Sequence, residues 1–125
     1  MNGYNKKTGA FGEKAAAWFL RLKGYRVLAR NFQIKNGEID IVAEDRRGVL
    51  VFVEVKTRTN DKNGSPADAV GYYKRKHLAD AANVYLAKKR LFDKDARFDV
   101  IEVMITKKGI FRLFKLNHIK NAFEV

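Results

Sequence analysis

Cysteine is absent from the 125 residues, and proline occurs once, at Pro66. Without cysteine there are no disulfides and no thiolate-bound zinc. Long apolar runs are missing too. The longest uninterrupted one, Ala15 to Leu20, is far too short to cross a bilayer. Basic residues near the N-terminus are followed by no apolar segment of signal-peptide length, because Glu13 interrupts it, so the expected location is cytoplasmic, with no membrane partner. Acidic residues are scarce: 26 Lys and Arg stand against 14 Asp and Glu, a net charge of +12. The imbalance is strongest in residues 1–30, where Lys6, Lys7, Lys14, Arg21, Lys23, Arg26 and Arg30 meet only Glu13. Such a charge favours a polyanionic partner through counterion release, nucleic acid before an anionic membrane or an acidic protein. Solubility alone is the competing explanation.

A hydrophobic share of 46% and a charged share of 32% fit one soluble globular domain, residues 1–125, with room for a core. Thr8 or Gly9 opens an expected helix to Lys23, stopped by Gly24. Phe11, Ala15, Trp18, Phe19 and Leu22 have the spacing of its buried stripe. Ala16, Ala17 and Leu20 make the other side fairly apolar as well, and Glu13 falls among them, partly shielded. Strands are expected at Tyr25–Ile34, Glu38–Glu44 and Val49–Lys56. A polar loop, Thr57–Pro66, comes next, and then a helix from about Ala67 to Arg90 with a kink or break at Gly71. Two more strands, Arg97–Ile105 and Ile110–Leu116, precede a short helix capped by Asn117 and ending at Phe123. The α-β-β-β-α-β-β order implies an α/β fold, a mixed sheet flanked by helices, with an antiparallel hairpin and a crossover helix.

Two strings place acids inside strand-like apolar runs: Gly37-Glu38-Ile39-Asp40 and Glu54-Val55-Lys56. Residues two apart in a strand share a face, which pairs Glu54 with Lys56 and Glu38 with Asp40. A carboxylate among Ile39, Ile41, Val53 and Val55 is costly unless compensated, and a divalent cation is one compensator. Asp45-Arg46-Arg47-Gly48 reads as the hairpin turn, with Gly48 left-handed. If that loop centres on Arg47, facing residues sum to 94 and Asp40 lies across from Glu54. A slip of one residue would put Asp40 on the wrong face. The competing reading is a structural ion pair of Asp40 or Glu54 with Lys56.

Asp-x13-Glu-x-Lys on a hairpin, with a glutamate on a preceding helix, resembles the PD-(D/E)xK nucleases and the archaeal type of Holliday-junction resolvase. A closer resemblance covers nearly the whole chain. Gly12-Glu13 with Ala16, Gly24-Tyr25, Arg30-Asn31, Gly37 to Asp40, Phe52 to Arg58, Gly64, Lys74 and Arg97-Phe98-Asp99 are similar to the bacterial YraN family, also called UPF0102. That family's function is unsettled. The resemblance implies a restriction-endonuclease-like fold and metal-dependent phosphodiester hydrolysis, on DNA with branches, flaps or damage. It implies Asp40, Glu54 and the Val55 carbonyl as ligands of Mg²⁺ or Mn²⁺. It further implies Glu13 as a completing site residue, Lys56 as the residue that handles the attacking water or the phosphate charge, and Lys74 as a phosphate contact. Ile39 stands where the nuclease motif has its proline. Arg58, next to the site, is a second candidate phosphate contact. Resolvases of this shape pair up, which is compatible with a homodimer. The alternative is a non-catalytic nucleic-acid-binding module, or a partner subunit in recombination or repair.

Other residues have plainer readings. Tyr72 and Tyr73 have the chemistry to stack on bases, but packing explains them more simply. Asp99 suits pairing with Arg97, Arg30 or another base. His77 and His118 are isolated and read as surface or packing residues. Trp18 reads as core. Gly9 and Gly12 form no phosphate loop, because no strand precedes them.

Overall fold

The computed structural model describes residues 6–59 and 72–124. Helix α1 spans Lys6–Leu22, β1 Arg26–Ile34, β2 Gly37–Glu44, β3 Leu50–Thr59, α2 Tyr72–Lys89, β4 Ala96–Lys108 and β5 Phe111–Phe123. The strands form one sheet in the order β1-β2-β3-β4-β5. All neighbours are antiparallel except β3 and β4, which run parallel, joined by the crossover that contains α2. The fold is therefore α/β, with five strands and two helices among the described residues.

Alternation along β3 sends side chains to two cores. Val51, Val53 and Val55 join Ala16, Ala17 and Leu20 of α1, whereas Leu50 and Phe52 join Leu78, Ala81, Ala82 and Tyr85 of α2. The helices thus cover opposite faces. On β2 the alternation breaks: Ile41 and Ala43 pack toward α1, but Ile39 and Val42, three apart, both pack toward α2. The break lies beside Asn31 of β1, whose φ of 54° is left-handed.

Helix α1 ends as expected at Gly24, φ 91°. The Tyr25 amide donates to the Leu20 carbonyl and the Gly24 amide to Arg21, a Schellman closure. Its buried face is only partly the expected one: Ala15 is buried and Phe11 and Phe19 pack against the core, but Trp18 and Leu22 do not. Gly9, Gly12, Ala16, Ala17 and Leu20 are buried, while Trp18 is 55% exposed and Leu22 65%. Small residues let the helix axis approach the sheet, so that stripe wins over the aromatic one. A Cβ at Gly12 would run into Thr57 Oγ1 of β3.

Two further expectations are corrected. Thr57, Arg58 and Thr59 belong to β3, because β4 pairs with β3 through Thr59↔Ile105; residues 60–66 of the expected loop lie outside the described residues. So do 67–71, with Val70 and the expected kink at Gly71. The short helix from Asn117 is absent, and those residues continue β5, with Asn117 opposite Glu102. Ladder hydrogen bonds to β4 outcompete a lone capping signal at the end of the chain.

Candidate metal centre

The turn sets the site. Asp45 Oδ1 accepts the Arg47 and Val49 amides at 2.8 and 3.0 Å, and Gly48 takes φ 89°. The resulting register pairs Ile41 with Val53, Val42 with Phe52, Ala43 with Val51 and Glu44 with Leu50, every pair summing to 94 as expected. The pairing ends at Ile41–Val53, and just beyond it Asp40 and Glu54 come close enough for Glu54 to raise the Asp40 carboxyl.

Glu54 is 3% exposed. Its Oε2 lies 3.0 Å from Lys74 Nζ and 3.6 Å from Lys56 Nζ. Asp40 Oδ2 accepts the Val55 amide at 2.8 Å. Burial, then the Glu54 hydrogen bond and charge, push the Asp40 carboxyl up to about 9, against the opposing Val55 hydrogen bond. Two close carboxyls in a low-dielectric site cannot both ionise cheaply, so one holds a proton.

Glu13 arrives from the buried side of α1, where the small-residue stripe brings the helix against the sheet. Burial raises its carboxyl above the ordinary value; Arg30 and an Asn31 hydrogen bond oppose this, while Glu38 and Glu54 add to it. Lys74 comes from the first turns of α2. Burial works against its charge, but Glu54, Asp40 and Glu38 outweigh that and hold the ammonium above its ordinary value. Arg58 lies on β3, two and four residues past Lys56 and Glu54, hence toward the same face.

The structure brings Glu54 together with Lys56 and Lys74, with Asp40 beside Glu54, while Glu13, from the α1 side of the sheet, reaches them only through electrostatics. Lys74 contacts a carboxylate here, which the sequence pattern did not foreshadow. Among the described residues no three His, Cys, Asp or Glu side chains are close enough together to hold a metal ion. Asp40 and Glu54 supply a two-carboxylate set. That donor set fits Mg²⁺ or Mn²⁺, which bind through one or two carboxylates and complete their shell with water and phosphate oxygens.

An open cleft of about 500 Å³, lined in part by Lys74, lies between the β1–β2 turn at Lys35 and Asn36 and the first turns of α2 at Lys74 and His77. Gly37 floors it, and a Cβ there would run into the His77 carbonyl. Lys35 and His77 carried no distinguishing signal in the sequence, since only the packing of α2 on the hairpin brings them together. The side chains of Tyr72 and Tyr73 lie outside the described part.

A second polar network was also missed. Asp99 is fully buried. It takes hydrogen bonds from Arg97 Nε at 3.0 Å and the Asn121 amide at 2.9 Å, and lies 2.7 Å from His118 Nε2. His118 Nδ1 is 3.0 Å from Lys23 Nζ, and Arg97 continues to Asp45 at 2.8 Å and to the Tyr25 hydroxyl at 2.9 Å. The Arg97–Asp99 pairing agrees with expectation. The role of His118 does not, because reading residues 117–123 as helix hid the alternation that turns it inward with Leu116.

A mixed α/β sheet carrying a buried Glu54, held by two lysines, beside a partly buried Asp40 defines the class of domain. Residues 12–103 match the model of the uncharacterised protein family UPF0102, and the chain belongs to that family. A UPF0102 protein of Caldanaerobacter subterraneus subsp. tengcongensis is 45% identical over 98% of this chain and 100% of its own length. One from Geobacter metallireducens is 46% identical over 100% and 98% respectively, and one from Clostridioides difficile 44% over 95% and 98%. No helix among the described residues is long and apolar enough to cross a membrane.

Proposed function

We propose that this chain is a metal-dependent phosphodiesterase of restriction-endonuclease-like architecture that cuts nucleic acid in the cytoplasm, with branched, flapped or damaged DNA as its substrate class. The observation that carries this reading is the Asp40–Glu54 pair. Opposed acids destabilise a strand pair, and a site that opposes stability is what function, not folding, explains.

Asp40 and Glu54 hold the cation. A strand residue's amide and carbonyl point to the same side, so the Val55 carbonyl faces the side of Asp40 and serves as a further oxygen ligand. Mg²⁺ or Mn²⁺ bound there makes water nucleophilic near neutral pH and neutralises charge growing on the phosphate. Lys56 orients or deprotonates the attacking water, or stabilises phosphate charge. Glu13 holds a water or a second cation. Lys74 and Arg58 grip phosphates flanking the bond to be cut, and the cleft beside Lys74 gives the strand room to enter. A homodimer would allow both strands of a junction to be cut.

The test joins Mn²⁺ titration calorimetry on wild type and Asp40→Ala/Glu54→Ala with cleavage assays on branched, flapped and single-stranded substrates. Saturable binding and cleavage, both lost in the double variant, are expected. Nucleic-acid binding without cleavage of any substrate would favour the second reading, a non-catalytic binding module or partner subunit. The lack of a three-acid cluster among the described residues is the observation on that side.

A further inference from the structure

The β4–β5 hairpin is the most exposed apolar feature among the described residues. Ile110 is 94% exposed, Phe111 67%, Leu113 58% and Phe114 44%. Single exposed apolar residues need no explanation, but a contiguous set does. These four are consecutive but for Arg112, at the tip of an edge strand. The surrounding charge is of one sign. Residues 103–123 contain Lys107, Lys108, Arg112, Lys115 and Lys120 and no Asp or Glu.

Position adds to chemistry. β3 and β4 are parallel, with Glu54 beside Val100 and Lys56 beside Glu102. Eight residues further along β4, Lys108 pairs with Phe111. At about 3.3 Å per residue, the tip lies roughly 25 Å beyond the carboxylates. It is the same end of the sheet toward which Arg58 extends. Phe111, Leu113 and Lys115 alternate on one face, Arg112 and Phe114 on the other, and Phe114 meets Phe11 of α1 edge-on at 5.4 Å. One face of the tip is thus anchored, and Phe111 and Leu113 lie on the other.

Aromatic surface interleaved with cations on an extended strand is the chemistry that binds unpaired nucleotides, whose bases stack and whose phosphates need positive charge. A second copy of this chain fits less well, because pairing β5 with itself would oppose lysines and arginines across the new ladder. We infer that the β4–β5 hairpin tip, Lys107 to Lys115, is a docking surface for single-stranded nucleic acid, with Phe111 as the stacking ring, Leu113 as apolar surface beside it, and Lys108, opposite Phe111, and Lys115, on the same face, as the phosphate contacts. This rests on the proposed action on nucleic acid and extends it: the hairpin engages the unpaired strand of a branch or flap while the carboxylates face the bond to be cut.

The test is fluorescence anisotropy with a labelled oligo-dT and a duplex of equal length, in EDTA, with the full chain. Wild type is expected to favour the single strand. Phe111→Ala/Leu113→Ala should weaken oligo-dT binding by about tenfold or more, as the loss of one stacked base does. Lys108→Ala/Lys115→Ala should reduce the log–log salt slope by about 1.4, at about 0.7 per lost contact on a single strand. These residues are solvent-exposed, so the variants are expected to keep the wild-type Tm.

Wild-type affinity in both hairpin variants would overturn the inference, and cleavage by those variants would leave the nuclease reading standing. Oligo-dT binding through the hairpin, with no cleavage by wild type, would do the reverse. If Phe111→Ala/Leu113→Ala instead dissociates a dimer in sedimentation velocity and leaves oligo-dT binding intact, the surface joins two copies. Loss of binding to anionic vesicles alone would make it a membrane contact. Either outcome overturns the inference.

Discussion

Asp40 and Glu54 lie just beyond the end of the β2–β3 pairing, with the Val55 amide on Asp40 and two lysines on Glu54. Without a cation the pair is a cost to the fold. Its partners determine how that cost changes with pH and with mutation.

Asp40→Asn should stabilise the metal-free protein. The folded Asp40 carboxyl is raised to about 9, against an ordinary value of about 3.9. A raised carboxyl makes the folded state the tighter proton binder, so stability falls as pH climbs from about 3.9 toward 9. Asparagine keeps an acceptor for the Val55 amide and removes the titration. The expected gain is about 0.5–2 kcal/mol at pH 8, a few degrees in Tm, and near zero below pH 4. Thermal melts in EDTA across pH 4–9 check it; a lower Tm at pH 8 would contradict it.

Lys74→Ala should separate binding from chemistry. Lys74 neutralises Glu54 at 3.0 Å, competing with any cation there. Half-exposed ion pairs contribute little, about 0.2–1 kcal/mol, so Mn²⁺ affinity should rise at most a few-fold by calorimetry. If Lys74 also grips phosphate, cleavage should slow. Weaker Mn²⁺ binding would count against a cation on Glu54.

Gly12→Ala should loosen the attachment of α1. The new methyl would meet Thr57 Oγ1, a buried hydroxyl with no hydrogen-bond partner among the described residues. Overpacking of this kind costs about 1–3 kcal/mol. Adding Thr57→Ala removes the clashing oxygen and should recover part of the loss in urea titrations. Additive losses would show that the two residues do not touch.

Asp99→Asn should be among the most damaging single changes away from the site. Burial raises the Asp99 carboxyl, but His118, the Asn121 amide and Arg97 outweigh burial and hold it below its ordinary value. Because the folded value is depressed, this stabilisation is complete above about pH 3.9 and is lost as pH falls through the folded value. Breaking one partner of a buried network costs about 3–5 kcal/mol. Urea melts should show that gap at pH 7 and a smaller one at pH 3. An equal gap at both would locate the effect elsewhere.

Arg90→Gly should stabilise. Arg90 closes α2 with φ 56°, and the Leu91 amide donates to the Leu86 carbonyl at 2.9 Å. This is the left-handed C′ position that glycine favours. A side chain there costs about 1–2 kcal/mol, partly offset by glycine's freedom in the unfolded chain. A Tm rise of a few degrees is expected.

The element order, the Gly24 stop, the Gly48 turn and the 94-sum register were legible in the sequence. Each comes from local rules: periodicity, a left-handed glycine, and a two-residue strand repeat that allows one face per residue. That register sufficed to bring Asp40 and Glu54 together. The buried face of α1 was only partly legible, since two apolar stripes compete and only close approach to Thr57 favours the one with Gly12. Residues 117–123 were misread for a related reason. Asn117 is a fair cap, and only an unfilled edge on β4 draws residues 117–123 into a strand.

The sequence by itself determined the chemistry available: no thiols, a large cationic excess, and acids embedded in strands beside a lysine. It also determined the family, through strings spread along the whole chain. The tertiary structure alone decided which charges meet. Lys74 lies 20 residues from Glu54 in the chain, His118 19 from Asp99, and Lys23 95 from His118. Distance along the chain carries no information about such contacts. They form because burying apolar faces on both sides of the sheet brings helix and strand ends together, and the polar groups carried there must then pair with one another.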